Sequence, residues 1–441
     1  MRQKLLKLQE QGRPVRVAVI GCGRFGSMVI SQLAHAPGME LSIACDLDVT
    51  RAVEALSRES EFTMEHVRTK GLAQANDAIS QHRPVVTDNP DIAIQAEVDV
   101  VVEATGNPDA GAEHVFDAIM EGRHVVNVNV EADVLVGPIL KRMADSAGVV
   151  YSLAYGDQPA IIDELYDWAT SLGYEVVTAG KGTMHLDENR YSTPDEALAR
   201  YGYTSEDVQR MNLNPKMYNS FIDTTKSCIE MCAVANMTGL VPDVPGMHFP
   251  SVGIQDIPKL LIPADDGGIL SKRGVVEVVS SHNPDGSEID DHLRWGVYVV
   301  ITSDSPYLRS CMRDYGMPMD PTGSYALMYR PYHLIGMEAL VSIGKAAVYG
   351  EPTGAPQSRV AEVAAAAKRN LDVGDVLDGE GGSMVYGNIV EAQQADVGQL
   401  VPIGLSNGAK LLNPVSRGMM VRYGDVEMPE ERFAASLRRK H

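Results

Sequence analysis

The stretch VRVAVIGCGRFG, residues 15–26, constrains this chain more than any other. A nearly continuous apolar run reads as a strand buried on both faces. It ends in glycine, and the helix-compatible SMVISQLAHA follows at once. Between them, Gly21-Cys22-Gly23-Arg24-Phe25-Gly26 has the spacing G-x-G-x-x-G. Gly21 would permit a tight turn, Gly23 the close approach of a pyrophosphate, and Gly26 the packing of helix on strand. The phosphates would sit on the N-terminus of the helix, with Arg24 and Phe25 in its first turn. The next strand-like segment, MELSIACD, ends at Asp46, 20 residues after Gly26, where a carboxylate can hold the ribose hydroxyls of NAD. Arg51 lies close enough to keep NADP open as well. The alternative is a glycine turn that binds no nucleotide.

Strand and helix continue to alternate through VDVVVEATG, EHVFDAIMEG and HVVNVNV, the pattern of a doubly wound parallel sheet. At the end of a later strand, Ala104-Thr105-Gly106 is placed to pass near the cofactor, or is a plain strand-ending turn. Beyond VVYSLAYGDQP the pattern mixes helices such as AIIDELYDWATSLG with strands such as YEVVTAGKG and WGVYVVITS. After the break GEPTGAPQSR come short strands with turn residues. The expected fold class is α/β: a Rossmann domain over 1–155, a central α+β catalytic and dimerisation domain over 156–330, and a small, mainly-β domain over 356–441. The helical segment 331–350 is expected to return to the first domain.

Acidic residues outnumber basic ones by 59 to 38, for a net charge of −21, which repels nucleic acid and anionic membranes. An anionic substrate must therefore find a locally basic pocket. The five cysteines show no C-x-x-C pair or zinc spacing, as in a reduced, intracellular protein. The charged N-terminus lacks the features of a signal peptide, and no apolar run approaches the roughly 20 residues of a membrane span. A cytoplasmic location is the expectation. The acidic pieces Asp265-Asp266 and Asp290-Asp291-His292 could ligate a divalent metal, but without diagnostic spacing they read as solvated turns.

A nicotinamide cofactor implies hydride transfer, which needs an acid or base beside the reacting oxygen. In NSFIDTTKSCIEM, 219–231, the residues Asn219, Asp223, Lys226 and Glu230 fall in one stripe if the segment is a single helix. Lys226 could polarise a carbonyl, Asp223 or Glu230 could tune it, and Asn219 could bind a hydroxyl. A solvated helix face would show the same spacing. In TAGKGT, glycines flank Lys181, which would let the backbone approach a ligand while the ammonium meets phosphate or carboxylate; an exposed turn lysine is the alternative. In YRPYH, Arg330 or His333 could reach an acidic substrate, or simply serve a helix end. Asp157 and Gln158 form another polar loop, or Asp157 begins the helix after it.

Taken together, IGCGRFG, VVEATGNPDAG, HVVNVNVEADVLVGP, YSLAYGDQPA, TAGKGT, FIDTTKSCIEMCAVANMTGLVPD and YRPYHL resemble the homoserine dehydrogenase superfamily. The resemblance is closer to its 1-deoxy-D-xylulose 5-phosphate reductoisomerase-like (DRL) branch and spans 15–350, while 357–430 look like an SAF domain of the β-clip type. It implies an NAD(P)-dependent oxidoreductase acting on a small, phosphorylated hydroxy-carbonyl compound, and a central domain that forms a homodimer or higher homo-oligomer. Lys181 and Arg330 would be phosphate contacts, with Lys226 near the carbonyl. Where homoserine dehydrogenases carry a lysine, this chain has Glu131, which makes a homoserine dehydrogenase-like enzyme of an amino-acid pathway the alternative. A non-catalytic, nucleotide-responsive assembly protein acting through the SAF-like domain is the alternative of a different class.

Overall fold

The computed structural model describes residues 1–62, 66–204, 206–208, 213–430 and 432–440. They divide into two compact units, one formed by Met1–Ile161, Leu334–Pro356 and the stretch from Arg432, the other by Ile162–His333 and the stretch from Gln357.

The first unit is built on seven parallel strands: β1 (Val15–Ile20), β2 (Met39–Cys45), β3 (Val67–Arg68), β4 (Val85–Thr87), β5 (Val100–Glu103), β6 (His124–Asn127) and β7 (Tyr151–Leu153). Their order is β3-β4-β2-β1-β5-β6-β7. Nearly every strand residue is buried, which is why these segments read as unbroken apolar runs rather than alternating ones. The chain leaves β1 toward one edge and β5 toward the other, so the β1–β5 gap is the switch point where such sheets bind ligands. Gly21 follows β1 and Ala104 follows β5. The helix Leu340–Tyr349 belongs to this unit, its Ser342 hydroxyl accepting the Tyr155 N–H at 2.7 Å. So does the helix Phe433–Lys440, where the Asp109 carboxylate accepts the Ala434 N–H at 2.9 Å.

The second unit holds a mixed sheet of β8 (Glu175–Thr183), β9 (Val241–Pro242), β10 (Val275–Ser280), β11 (Val297–Thr302) and β12 (Tyr325–Arg330), in the order β12-β11-β8-β10-β9. Every residue of β10 and β11 is buried. The same unit contains an antiparallel pair, β13 (Ala361–Ala367) and β14 (Val385–Glu391), and the short pair β15 (Lys410–Leu411) and β16 (Val426–Glu427). The helix Thr225–Thr238 packs on β13 and β14. It can lie close because β13 is mostly alanine and Gly387 on β14 has no side chain, a Cβ there standing 3.0 Å from Thr225. The observed architecture is thus the α/β class expected from the sequence, with a mainly-β C-terminal appendage.

One local expectation needs correction. NSFIDTTKSCIEM is not one helix: Pro215–Ile222 ends at Asp223, Thr224 takes a left-handed conformation with φ +75°, and a new helix begins at Thr225. Two threonines following an aspartate favour such a break, since their side chains compete for backbone hydrogen bonds, and the Asp223 carboxylate accepts the Thr225 N–H at 2.9 Å. Lys226 and Glu230 share a face of the second helix, four residues apart. Asn219 and Asp223 belong to the segment before it.

Candidate active site

The glycine loop behaves as its spacing predicts. Gly21 has φ +96°, and a Cβ on it would stand 2.6 Å from the Ala104 carbonyl carbon. A Cβ on Gly26 would fall 1.8 Å from the Gly21 oxygen, so helix and turn touch as only glycine allows. Gly23 differs, because a Cβ there would meet nothing within 4 Å. That open space lies at the start of the helix Arg24–His35, whose N-cap offers no capping side chain, as a site for pyrophosphate requires. The half-buried Asp46 accepts N–H groups from Cys22 at 2.8 Å and Asp48 at 2.9 Å, which orients the carboxylate at the tip of β2. Arg51 is exposed and lies 3.9 Å from the Asp48 carboxylate. Thr105 and Gly106 are exposed at the tip of β5, and buried Glu103 accepts both the N–H and the hydroxyl of Thr105. The donors and the open cradle fit a dinucleotide.

In the second unit Lys181 lies within strand β8, not in a turn, and is only 6 % exposed. The glycines beside it serve packing rather than ligand approach. A Cβ on Gly180 would fall 1.7 Å from the Glu277 oxygen, and one on Gly182 would fall 1.9 Å from that of Leu293. The Lys181 ammonium donates to the Glu230 carboxylate. Burial works to raise the Glu230 pKa, but the charges of Lys181 and Lys226, the hydrogen bond from Lys181 and the nearby His333 outweigh it and hold the carboxyl below its ordinary range. A buried carboxylate is therefore flanked by two ammonium groups, of which Lys226 is half-buried.

Register places Arg330 in line with this cluster. Val297 on β11 pairs with Lys181 on one side and Arg330 on the other, so the two cationic residues share a sheet face, about 10 Å apart across two strand spacings. The Arg330 guanidinium stacks over Tyr332, 4.7 Å from the ring centroid. Nδ1 of His333 is 2.8 Å from the Trp295 carbonyl. It must donate there, which leaves Nε2 as the acceptor of a neutral ring. Burial lowers the His333 pKa, chiefly, and the Lys181 charge adds to this.

Asn219 and Asp223 are engaged elsewhere. Asn219 is fully buried; it accepts from the Ser192 hydroxyl at 2.6 Å and donates to the carbonyls of Ser192, Gly381 and Gly382. The second Asp223 oxygen accepts from Lys368 at 2.7 Å. Burial pushes the Asp223 carboxyl up, opposed by that ammonium. In the first unit Asp157 accepts the Gln158 N–H at 2.9 Å at the start of the helix Gln158–Ser171. Glu131 lies in the first turn of the helix Val130–Ala147, away from the glycine loop in sequence and at the end of a different strand.

Sequence reasoning missed two groups. Lys368 ends an alanine strand and meets Asp223 across 145 residues, a pairing with no local signal. Asp133, fully buried, accepts from the Tyr151 hydroxyl at 2.7 Å, and Tyr151 accepts from Asn127 at 3.0 Å. An Asp followed by an apolar run in VEADVLVGP, in the first turn of its helix, was the available hint. Among the described residues no cluster of three or more His, Cys, Asp or Glu side chains could hold a metal, and no helix is long and apolar enough to cross a membrane.

Residues 21–148 match the family profile of the homoserine dehydrogenase NAD binding domain, and residues 156–339 match that of the catalytic domain of oxidoreductase DRL. No curated protein matches the chain. Solved structures with a detectable likeness include a probable dehydrogenase from Thermotoga maritima, at 12 % identity over 77 % of this chain and 90 % of that one, with a TM-score of 0.37. A myo-inositol dehydrogenase from Corynebacterium glutamicum has 11 % identity over 76 % and 89 %, with a TM-score of 0.37.

Proposed function

We propose that this chain, an NAD(P)-dependent oxidoreductase with the two domains of the homoserine dehydrogenase superfamily and its DRL branch, acts on a small hydroxy-carbonyl compound bearing a phosphate or carboxylate. The observation that carries the substrate class is the Lys181–Glu230–Lys226 cluster with Arg330 in the same sheet row. In a chain of net charge −21, it is a locally cationic place prepared for an anion.

The bound nicotinamide supplies the hydride donor or acceptor. The chain supplies the proton and the charge. Lys226, on the first turn of its helix, polarises the substrate oxygen and passes a proton to it as the carbonyl becomes an alkoxide, the contribution expected of a positioned general acid. Glu230 lies between the two lysines and fixes their separation. When the reaction runs toward the ketone, Lys226, having lost its proton, takes the hydroxyl proton back, and the neutral His333 ring offers Nε2 as the next acceptor in that relay. Lys181 and Arg330 hold the substrate's anionic group, Arg330 by its planar fork. Asp46 at the tip of β2 favours NADH over NADPH.

The test is a screen of four- and five-carbon sugar phosphates, sugar acids and their unphosphorylated parents for oxidation of NADH or NADPH. Turnover confined to the anionic members, lost on Arg330→Ala mainly through KM, supports the reading. Equal turnover of the neutral parent sugars, or none while both cofactors bind tightly, contradicts it.

A further inference from the structure

The C-terminal stretch from Gln357 grips the Lys226 helix at both ends. At its C-terminal end the Asn236 side-chain oxygen accepts N–H groups from Val360 at 2.8 Å and Ala361 at 3.1 Å. At its start the Gly387 N–H donates to the Thr225 hydroxyl at 2.8 Å. The strongest hold is Lys368. It is 3 % exposed, and its ammonium donates to the Asp223 carboxylate at 2.7 Å, the Ser192 carbonyl at 2.8 Å and the Gly382 carbonyl at 2.6 Å. All three ammonium hydrogens are used. The other Asp223 oxygen receives the Thr225 N–H, so one carboxylate joins Lys368 to the first N–H of the helix. Between them stands Thr224 at φ +75°, a strained conformation for a β-branched residue that persists only where its surroundings enforce it.

We propose that Lys368 is a positioning residue for catalysis: through Asp223 it fixes the start of the helix and thereby the placement of Lys226 and Glu230. The C-terminal module is then part of the catalytic apparatus rather than a detachable docking domain. Without Lys368, Asp223 loses its charge partner in a dry site, the Thr224 turn loses its clamp, and the first helical turn shifts or frays. A displacement of about 1 Å at a proton donor lowers turnover by roughly 100-fold. This rests on the reading of Lys226 given above.

Lys368→Met and, as a neutral pair that leaves no unpaired buried charge, the double variant Asp223→Asn/Lys368→Met are to be compared with Lys226→Met. Hydrogen–deuterium exchange is read on the peptides over 224–231 and over 275–280. For each anionic compound turned over in the screen, kcat and KM are read as well. The expected result for Lys368→Met is at least tenfold faster exchange over 224–231 with 275–280 unchanged, kcat down about 100-fold, KM within threefold and NADH affinity unchanged. If Lys368→Met does not accumulate, the double variant carries the same expectation. Unchanged exchange over 224–231, or unchanged kcat while Lys226→Met has lost turnover, overturns the role of Lys368 alone. Full turnover by Lys226→Met overturns the underlying reading of the site. Where no compound is turned over, the exchange result decides.

Discussion

At the scale of single residues, burial and charge assign tasks that residue type alone leaves open. Asp46 and Asp133 are both aspartates of the first unit, yet one is oriented by two N–H donors at a strand tip and the other is sealed under Tyr151. A 2′-phosphate near Asp46 meets a like charge, so NADH is expected to bind at least tenfold more tightly than NADPH in a fluorescence titration, and Asp46→Ser to reverse most of that preference. Burial raises the Asp133 pKa to about 7, against the hydrogen bond from Tyr151. In the unfolded chain the carboxyl titrates near 4. As pH rises from about 4 to 7 the unfolded state therefore releases its proton first and stability falls, by up to about 1.4 kcal/mol per unit; the loss is complete above the folded pKa. Asp133→Asn is expected to flatten that part of the thermal stability profile and to raise Tm at pH 8. An unchanged profile contradicts the buried, protonated state.

At the scale of elements, the glycine loop was legible in the sequence because its function, fold and spacing are set within a dozen consecutive residues. Gly180 and Gly182 show the opposite case. Their place beside Lys181 suggested a ligand loop, but the space each leaves is filled by backbone from Glu277 and Leu293, about 100 residues distant. Gly180→Ala is expected to destabilise the second unit by about 2 kcal/mol or more through overpacking, lowering Tm without changing NADH affinity. The stripe 219–231 was half legible. The i,i+4 pair Lys226 and Glu230 followed from helical spacing. The break at Thr224 did not, because the partner that stabilises it, Lys368, lies far along the chain.

At the scale of the whole molecule, the sequence announced the α/β class and the mainly-β appendage, since strand burial and turn chemistry repeat over long stretches. That the stretch from Arg432 clusters with the first unit was hidden, because it joins through contacts with no local pattern. Truncation after residue 356 strips the cover from a helix in which all but Lys226 and the final Thr238 are buried, and is expected to abolish turnover and promote aggregation. Light scattering is expected to return the mass of a homodimer or higher homo-oligomer; the monomer mass of 47.7 kDa at micromolar concentration contradicts it.

The central claim, that Lys226 delivers the proton and charge for hydride transfer, is tested most directly by Lys226→Ala, with NADH oxidation and NADH binding measured on the same preparation. The expected result is a fall in kcat of about 10³-fold or more, with the dissociation constant for NADH within twofold. Wild-type turnover in Lys226→Ala contradicts it.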